Sequence, residues 1–259
     1  MKLTFLGTGT SFGIPVVGCD CATCTSADSR DRRTRHGALI EGDDGRRLLI
    51  DTPPELRLQL LAAGVPGADA VWYTHCHADH VHGIDDVRVF SSQSDQPLPV
   101  YASADCAAVL ASRFDYVFDR SRQALPGTSK PEAALHVVEP YREVEVAGFR
   151  VLPLPVPHGD VEVMGLRIGG LGYITDAKRL PERALEALRG VRVLVLNALW
   201  YGRPHPTHFN VEEAVEAARA VGAERTFLTH LSHRVRHAEL EASLPPGIDP
   251  AYDGLKVEV

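Results

Sequence analysis

Val71-Trp72-Tyr73-Thr74-His75-Cys76-His77-Ala78-Asp79-His80 decides the reading of this chain. Its first four residues are apolar or β-branched and form a short strand that delivers His75 at its C-terminal end. The six residues from His75 to His80 then hold four potential metal ligands, His75, His77, Asp79 and His80. In an extended segment alternate side chains point the same way, so His75 and His77 can reach one ion. Asp79 and His80, past the turn, can reach a second. Neutral imidazole and anionic carboxylate together suit Zn²⁺ or a similar divalent ion. The plain alternative is a polar turn with surface histidines, and four ligands in so short a run directly after an apolar strand argue against it.

Working outward, residues 2–6 read as a strand, and 37–42 with 46–51 as a β-hairpin around Asp43-Asp44-Gly45. Segments 98–102, 135–139, 142–146, 149–156, 163–168, 171–175, 192–196, 226–228 and 255–259 also read as β. Helical patterns cover 54–63 up to Gly64, then 104–114, 180–189, 210–221 and 235–243. The stretch 7–36, rich in glycine and carrying Cys19, Cys21 and Cys24, reads as a long irregular loop. A loop of that length inside a compact domain is usually functional or stapled. Residues 119–132 read as a surface loop. No repeat, low-complexity tract or linker divides the chain, so a single domain over 1–259 is expected. Strands and helices in this order suit two mixed sheets packed face to face with helices outside, an α+β fold in four layers. Its histidines and aspartates fall on loops at strand ends, where reactive side chains usually sit.

With 259 residues the chain can bury a substantial core. Its 44% hydrophobic and 24% charged residues exclude disorder, collagen and coiled coil as the main organisation. No apolar run approaches the roughly 20 residues that span a bilayer. The opening Met1–Ser11, MKLTFLGTGTS, breaks too early for a signal peptide, so a cytoplasmic location is expected. A net charge of −7 offers nucleic acid or an anionic membrane no general attraction. The densest basic cluster is Arg30, Arg32, Arg33 and Arg35, followed by His36. It is either a solvated loop or a contact to phosphate or an acidic partner. Three cysteines within six positions suggest metal more than disulfides in such a protein. Cys76 and Cys106 are isolated, and Cys76 is given no role.

The pattern H-x-H-x-D-H resembles the metallo-β-lactamase superfamily, and the resemblance implies the αββα sandwich across nearly the whole chain. It implies a lone His after a strand, matched by Pro157-His158-Gly159. It implies a bridging Asp, matched by Tyr173-Ile174-Thr175-Asp176, and a last His near the C-terminus, matched by Phe227-Leu228-Thr229-His230. On that resemblance His75, His77 and His158 hold one catalytic ion, Asp79, His80 and His230 hold the other, and Asp176 bridges them. Zinc and manganese both suit such ligands.

Cys19-Asp20-Cys21-Ala22-Thr23-Cys24 offers three thiolates, and His233 is the candidate to close a tetrahedral structural zinc site. The opening G-T-G-T-S-x-G-x-P-x-x-G-C-x-C-x-x-C and the later T-H-x-S-H together resemble the PhnP group, the phosphoribosyl cyclic phosphodiesterases of phosphonate breakdown. The resemblance implies a small phosphodiester substrate, opened by a hydroxide bridging the two ions with Asp79 in the catalytic set. His208 then helps to protonate the leaving oxygen. A helix-entry residue facing solvent is the alternative for His208. A homodimer is common among such relatives; a membrane or nucleic-acid partner is not expected. Rival readings are the transfer-RNA 3′-processing nucleases, the pyrroloquinoline-quinone B proteins, and thioester or lactone hydrolases of the same fold. His36, His82, His136, His205 and His237 have no distinguishing context in sequence.

Overall fold

The computed structural model describes residues 1–94, 96–122 and 124–259. In chain order its strands are β1 (Lys2–Gly7), β2 (Gly37–Glu41), β3 (Arg47–Ile50), β4 (Ala70–Trp72), β5 (Leu98–Ala102), β6 (Ala133–Val137) and β7 (Val144–Val146). They continue with β8 (Phe149–His158), β9 (Val161–Ile168), β10 (Leu171–Tyr173), β11 (Val193–Asn197), β12 (Arg225–Thr229), β13 (Ile248–Pro250) and β14 (Lys256–Glu258). One sheet runs β14-β1-β2-β3-β4-β5-β6 and the other β13-β12-β11-β10-β9-β8-β7. Each begins as an antiparallel meander and turns parallel, from β3 to β6 in the first and from β10 to β13 in the second. Parallel neighbours end on the same edge. That edge therefore collects the residues following β3 and β4 of one sheet and β10, β11 and β12 of the other.

Strand alternation builds the layers. Leu48 and Ile50 face the second sheet, with Phe5, Ile40 and Trp72, and meet Met164, Leu166, Tyr173, Val195 and Phe227. Leu49 between them faces outward with Leu39 and Val71, in one core with Leu56 and Leu60 of helix Leu56–Ala63 and Leu110 of helix Ala104–Arg113. On the far side Leu194, Leu196 and Leu228 pack with residues of the helices Glu182–Leu188, Val211–Val221 and His237–Ser243. The result is the expected αββα sandwich. Fully buried Trp72 also ties the sheets together, donating its indole N–H to the Met164 carbonyl at 2.9 Å, while the Met164 N–H donates to the Thr74 carbonyl at 2.7 Å.

Residues 7–36 are mostly irregular, as read, but they are anchored. Gly9 bridges to Arg35 and to Leu231, and Ile14 bridges to Arg33. Gly7 permits this approach, because a Cβ there would lie 2.0 Å from the Arg35 carbonyl oxygen. The solvated-loop reading of the basic cluster needs correction. Arg33 is fully buried, pairs with Asp31 at 3.1 Å, and donates to the carbonyls of Ser232 and Val235. Arg35 pairs with Glu55, and Arg30 with Asp28 and Glu241. Cys76 is not isolated either: it forms a disulfide with Cys106. The sequence also hides β13, whose three residues Ile-Asp-Pro carry no alternation to read.

Candidate metal centre

One strand end of the first sheet and three of the second carry the centre. After β4 the chain runs through His75 to His77 and into the short helix Ala78–Val81, which holds Asp79 and His80. In the second sheet His158 ends β8, Asp176 follows β10, and His230 follows β12. The Asp176 Oδ2 atom lies 3.3 Å from His230 Nε2, 3.5 Å from His80 Nε2 and 3.9 Å from His75 Nε2. Asp79 Oδ2 lies 3.4 Å from His80 Nε2 and 3.9 Å from His230 Nε2. His75 Nε2 and His77 Nδ1 are 2.9 Å apart, and the ligand atoms of His75, His77 and His158 form one group. The seven side chains assigned by resemblance thus converge, with Asp176 between the two groups. Asp176 and His230 both adopt left-handed backbone, φ 52° and 55°. For residues other than glycine this conformation costs on the order of 1–3 kcal/mol, and it recurs at functional sites.

The donor set fits divalent ions. His80 Nε2 and both ring nitrogens of His230 are buried without a hydrogen-bond partner, an arrangement expensive unless a further group satisfies them. Ligands about 2.1 Å from a tetrahedral ion lie about 3.4 Å apart, close to the separations around Asp176 Oδ2. The Asp176 carboxyl is fully buried, which by itself would raise its pKa. His230 and His80 override that and hold it well below the ordinary carboxylate range.

Asp51, just after β3, is a member of the site that sequence reasoning missed. Its buried carboxylate accepts from the Thr74 N–H at 2.8 Å, the Thr74 hydroxyl at 2.8 Å and His80 Nδ1 at 2.7 Å. This fixes the His80 tautomer and turns its Nε2 lone pair towards Asp79 and Asp176. Backbone bonds between Thr52 and His80 and between Gly83 and Thr52 dock the two segments. The signal was present in sequence as a lone Asp at the end of an apolar strand. His36, also set aside, is fully buried against His80 and His230 and bonds the Tyr173 hydroxyl at 2.8 Å.

His208 does not face away into solvent. Its Nε2 is 3.3 Å from Asp176 Oδ2, and its ring stacks on His230 and meets His158 edge-on. Its Nδ1 meets the Thr207 hydroxyl at 2.8 Å and His205 Nδ1 at 3.2 Å, which gives His205 a place in the site as well. The Thr207 carbonyl accepts from His158 Nδ1 at 3.0 Å, freeing His158 Nε2 for the cleft. Asn210 caps the following helix in a capping box with Glu213. Lys178 bonds Glu213 in turn and fixes the loop. Burial lowers the His208 pKa, against the pull of Asp176.

In the N-terminal loop, Cys19, Cys21 and Cys24 surround His233 Nδ1 at 3.3, 3.6 and 3.8 Å. One ring nitrogen cannot hydrogen-bond three sulfurs well. Zn–S near 2.3 Å and Zn–N near 2.1 Å would place a tetrahedral N···S edge at about 3.6 Å. The Cys24 backbone N–H lowers the Cys21 thiol to about 6, and burial raises Cys24 to about 11.

Such a site on two facing sheets defines a metallo-β-lactamase-type protein, and residues 46–231 match the beta-lactamase superfamily domain. A solved diphosphatase from the PhnP family is 40% identical, with a TM-score of 0.90, over 100% of this chain and 97% of its own. The chain belongs to the beta-lactamase superfamily and, within it, to the PhnP family. It is also 40% identical over 99% of its length to an octanoyltransferase of Porphyromonas gingivalis, and spans about half (51%) of that longer protein. A ribonuclease Z of Methanopyrus kandleri is 28% identical over 89% of this chain and 93% of its own.

Proposed function

We propose that this protein is a metal-dependent phosphodiesterase that hydrolyses a small phosphodiester, cyclic ones by preference, of the type of phosphoribosyl 1,2-cyclic phosphate. The observation that carries the reading is the convergence of two ligand groups on Asp176 with His208 Nε2 beside them, 3.3 Å from Asp176 Oδ2. His75, His77 and His158 would hold one divalent ion, zinc or manganese, and Asp79, His80 and His230 the other, with Asp176 shared. Two such ions, when bound, acidify a water and offset charge on the phosphoryl oxygens. Cys19, Cys21, Cys24 and His233 would hold a third, structural zinc.

The chain's own residues do the remaining work. Asp51 orients His80, and the Thr207 carbonyl orients His158. His208 stands at the cleft wall with Nε2 inward, where a protonated imidazole can give its proton to a departing alkoxide. Its Nδ1 is held by Thr207 and His205, so the ring cannot swing away. Ser11, Gly159 and Thr207 line the same cleft of about 510 Å³, room for a small organic phosphate. A second reading, cleavage of a P–O–P bond, is favoured by the whole-chain likeness to the PhnP-family diphosphatase. Acyl transfer is not carried over from the octanoyltransferase, since that protein extends as far again beyond the matched part.

A panel of cyclic and linear phosphodiesters, diphosphates, phosphomonoesters and a β-lactam tests the reading with zinc- and manganese-loaded protein. Turnover of phosphodiesters, cyclic ones fastest, is expected. Diphosphates alone turned over would favour the second reading. Activity on the β-lactam or none of the phosphates would overturn both.

A further inference from the structure

Cys76 stands between His75 and His77 and is bonded to Cys106, in the first turn of the helix Ala104–Arg113. The run of metal ligands is thereby tied to an element that supplies none. That helix is a firm anchor. Ser103 caps it, accepting from the Cys106 N–H at 3.3 Å, and Cys106, Ala107 and Leu110 are buried in the outer core of the first sheet. It grips the run a second time, since Arg113 donates to the Cys76 carbonyl at 3.2 Å. His77 needs that grip. His75, His80 and His158 each have an outer partner for Nδ1, in the Thr74 hydroxyl, Asp51 and the Thr207 carbonyl. The exposed His77 ring has no hydrogen-bond contact among the described residues except His75, itself a ligand. Its place therefore follows from the backbone that Cys76 belongs to.

We infer that Cys76 and Cys106 form a thiol–disulfide switch on the metal centre, closed to hold the ion of His75, His77 and His158 and opened to loosen it. Their Cα atoms lie 5.4 Å apart, within the span of a disulfide, so the bond forms and breaks in the same fold. Cys106 is buried and Cys76 part-exposed, and both border one surface cavity of about 550 Å³, so a dithiol reaches Cys76 first. Its thiolate attacks the Cys76 sulfur, the S–S bond breaks, and the electron pair leaves on Cys106, which takes a proton. The second sulfur of the dithiol then displaces Cys76. Two electrons and two protons thus pass to the cysteines, the dithiol ends as a disulfide, and a small-molecule disulfide reverses the exchange. The other three cysteines stay unpaired at the zinc site, and where thiols are kept reduced a disulfide is usually transient and catalytic or redox-sensing. The inference rests on the ligand set of the proposed function and not on its substrate.

The test compares metal-loaded wild type and Cys106→Ser, each treated with dithiothreitol or with oxidised glutathione and freed of the reagent before titration against a chromophoric chelator. Peptide mapping reports the disulfide. In the wild type, reduction should weaken one of the two catalytic ions by about three- to tenfold, below the about 10–100-fold typical of losing an outer histidine partner, because Arg113 keeps its hold. Reoxidation should restore it, and the other catalytic ion and the structural zinc should not change. Cys106→Ser should bind like the reduced wild type after either treatment; should that variant fail to fold, the wild type in its two states carries the comparison. No Cys76–Cys106 disulfide after oxidation, equal affinities in the two states, or equal weakening of both ions overturns the switch and leaves the ligand set standing. Fewer than two catalytic ions in both states overturns the ligand set and the switch with it.

Discussion

Asp51→Asn separates orienting a ligand from being one. Asn has nearly the same size and tolerates the φ of 61° at this position, so the backbone should hold. Oδ1 can still accept from the Thr74 N–H, which leaves the amide NH₂ against His80 Nδ1. His80 must then accept at Nδ1 and carry its proton on Nε2, the atom 3.4 Å from Asp79 and 3.5 Å from Asp176. The flipped amide sets two donors face to face at Thr74, a penalty of about 1–3 kcal/mol. Either way the lone pair aimed at the second ion is lost or costs more to present. Outer partners of metal-bound histidines typically account for 10–100-fold in affinity, or about 1.4–2.7 kcal/mol at 1.4 kcal/mol per decade. Competition against a chromophoric chelator should show one of two ions weakened by that factor, with fold stability in chelator changed by only about 1 kcal/mol. Activity should return when metal is in excess. Unchanged affinity in Asp51→Asn, or equal weakening of both ions, would refute the orientation argument.

Three other outcomes are expected. Cys21→Ser should remove one zinc of three per chain and lower the melting temperature. In the native protein that zinc should be released as pH falls and protons compete for the thiolates; two metals in the native protein, with freely titratable thiols, would contradict this. His208→Ala should slow esters with alkoxide leaving groups by about 10²–10⁴-fold and aryl esters little. Since burial puts its pKa below 6.5, wild-type kcat/KM should carry a limb falling with rising pH from below that value, absent in the variant; equal losses on both esters would remove its acid role. Arg33→Met strands Asp31 in the interior and frees two carbonyls, so about 3–5 kcal/mol of stability should be lost in denaturant titration, and a loss under about 1 kcal/mol would show the pair to be dispensable.

Ligand legibility followed chain locality. His75, His77, Asp79 and His80 lie in one short run, and the resemblance to the metallo-β-lactamase superfamily implies the others, His158, Asp176 and His230, each after a strand. Asp51 and His205 escaped because each acts through a neighbour brought near only by packing: β3 beside β4, and the 205–208 loop over β10. His36 escaped for the same reason, since nothing around it in sequence shows that two sheets close over it. Arg33 misled because charge in a glycine-rich loop reads as solvated. Its burial depends on carbonyls of Ser232 and Val235, about two hundred residues away in the chain.

By itself the sequence determined the layer architecture, because alternation and helical spacing are local properties, and it determined the chemical type of the centre, because ligand identity is local too. Tertiary structure decided which atoms face one another. Asp176 Oδ2 sits within 4 Å of four imidazoles only because β10 and β12 run parallel beside the end of β4. Such contacts arise between distant segments, and their energies depend on distance and burial, which no stretch of sequence states.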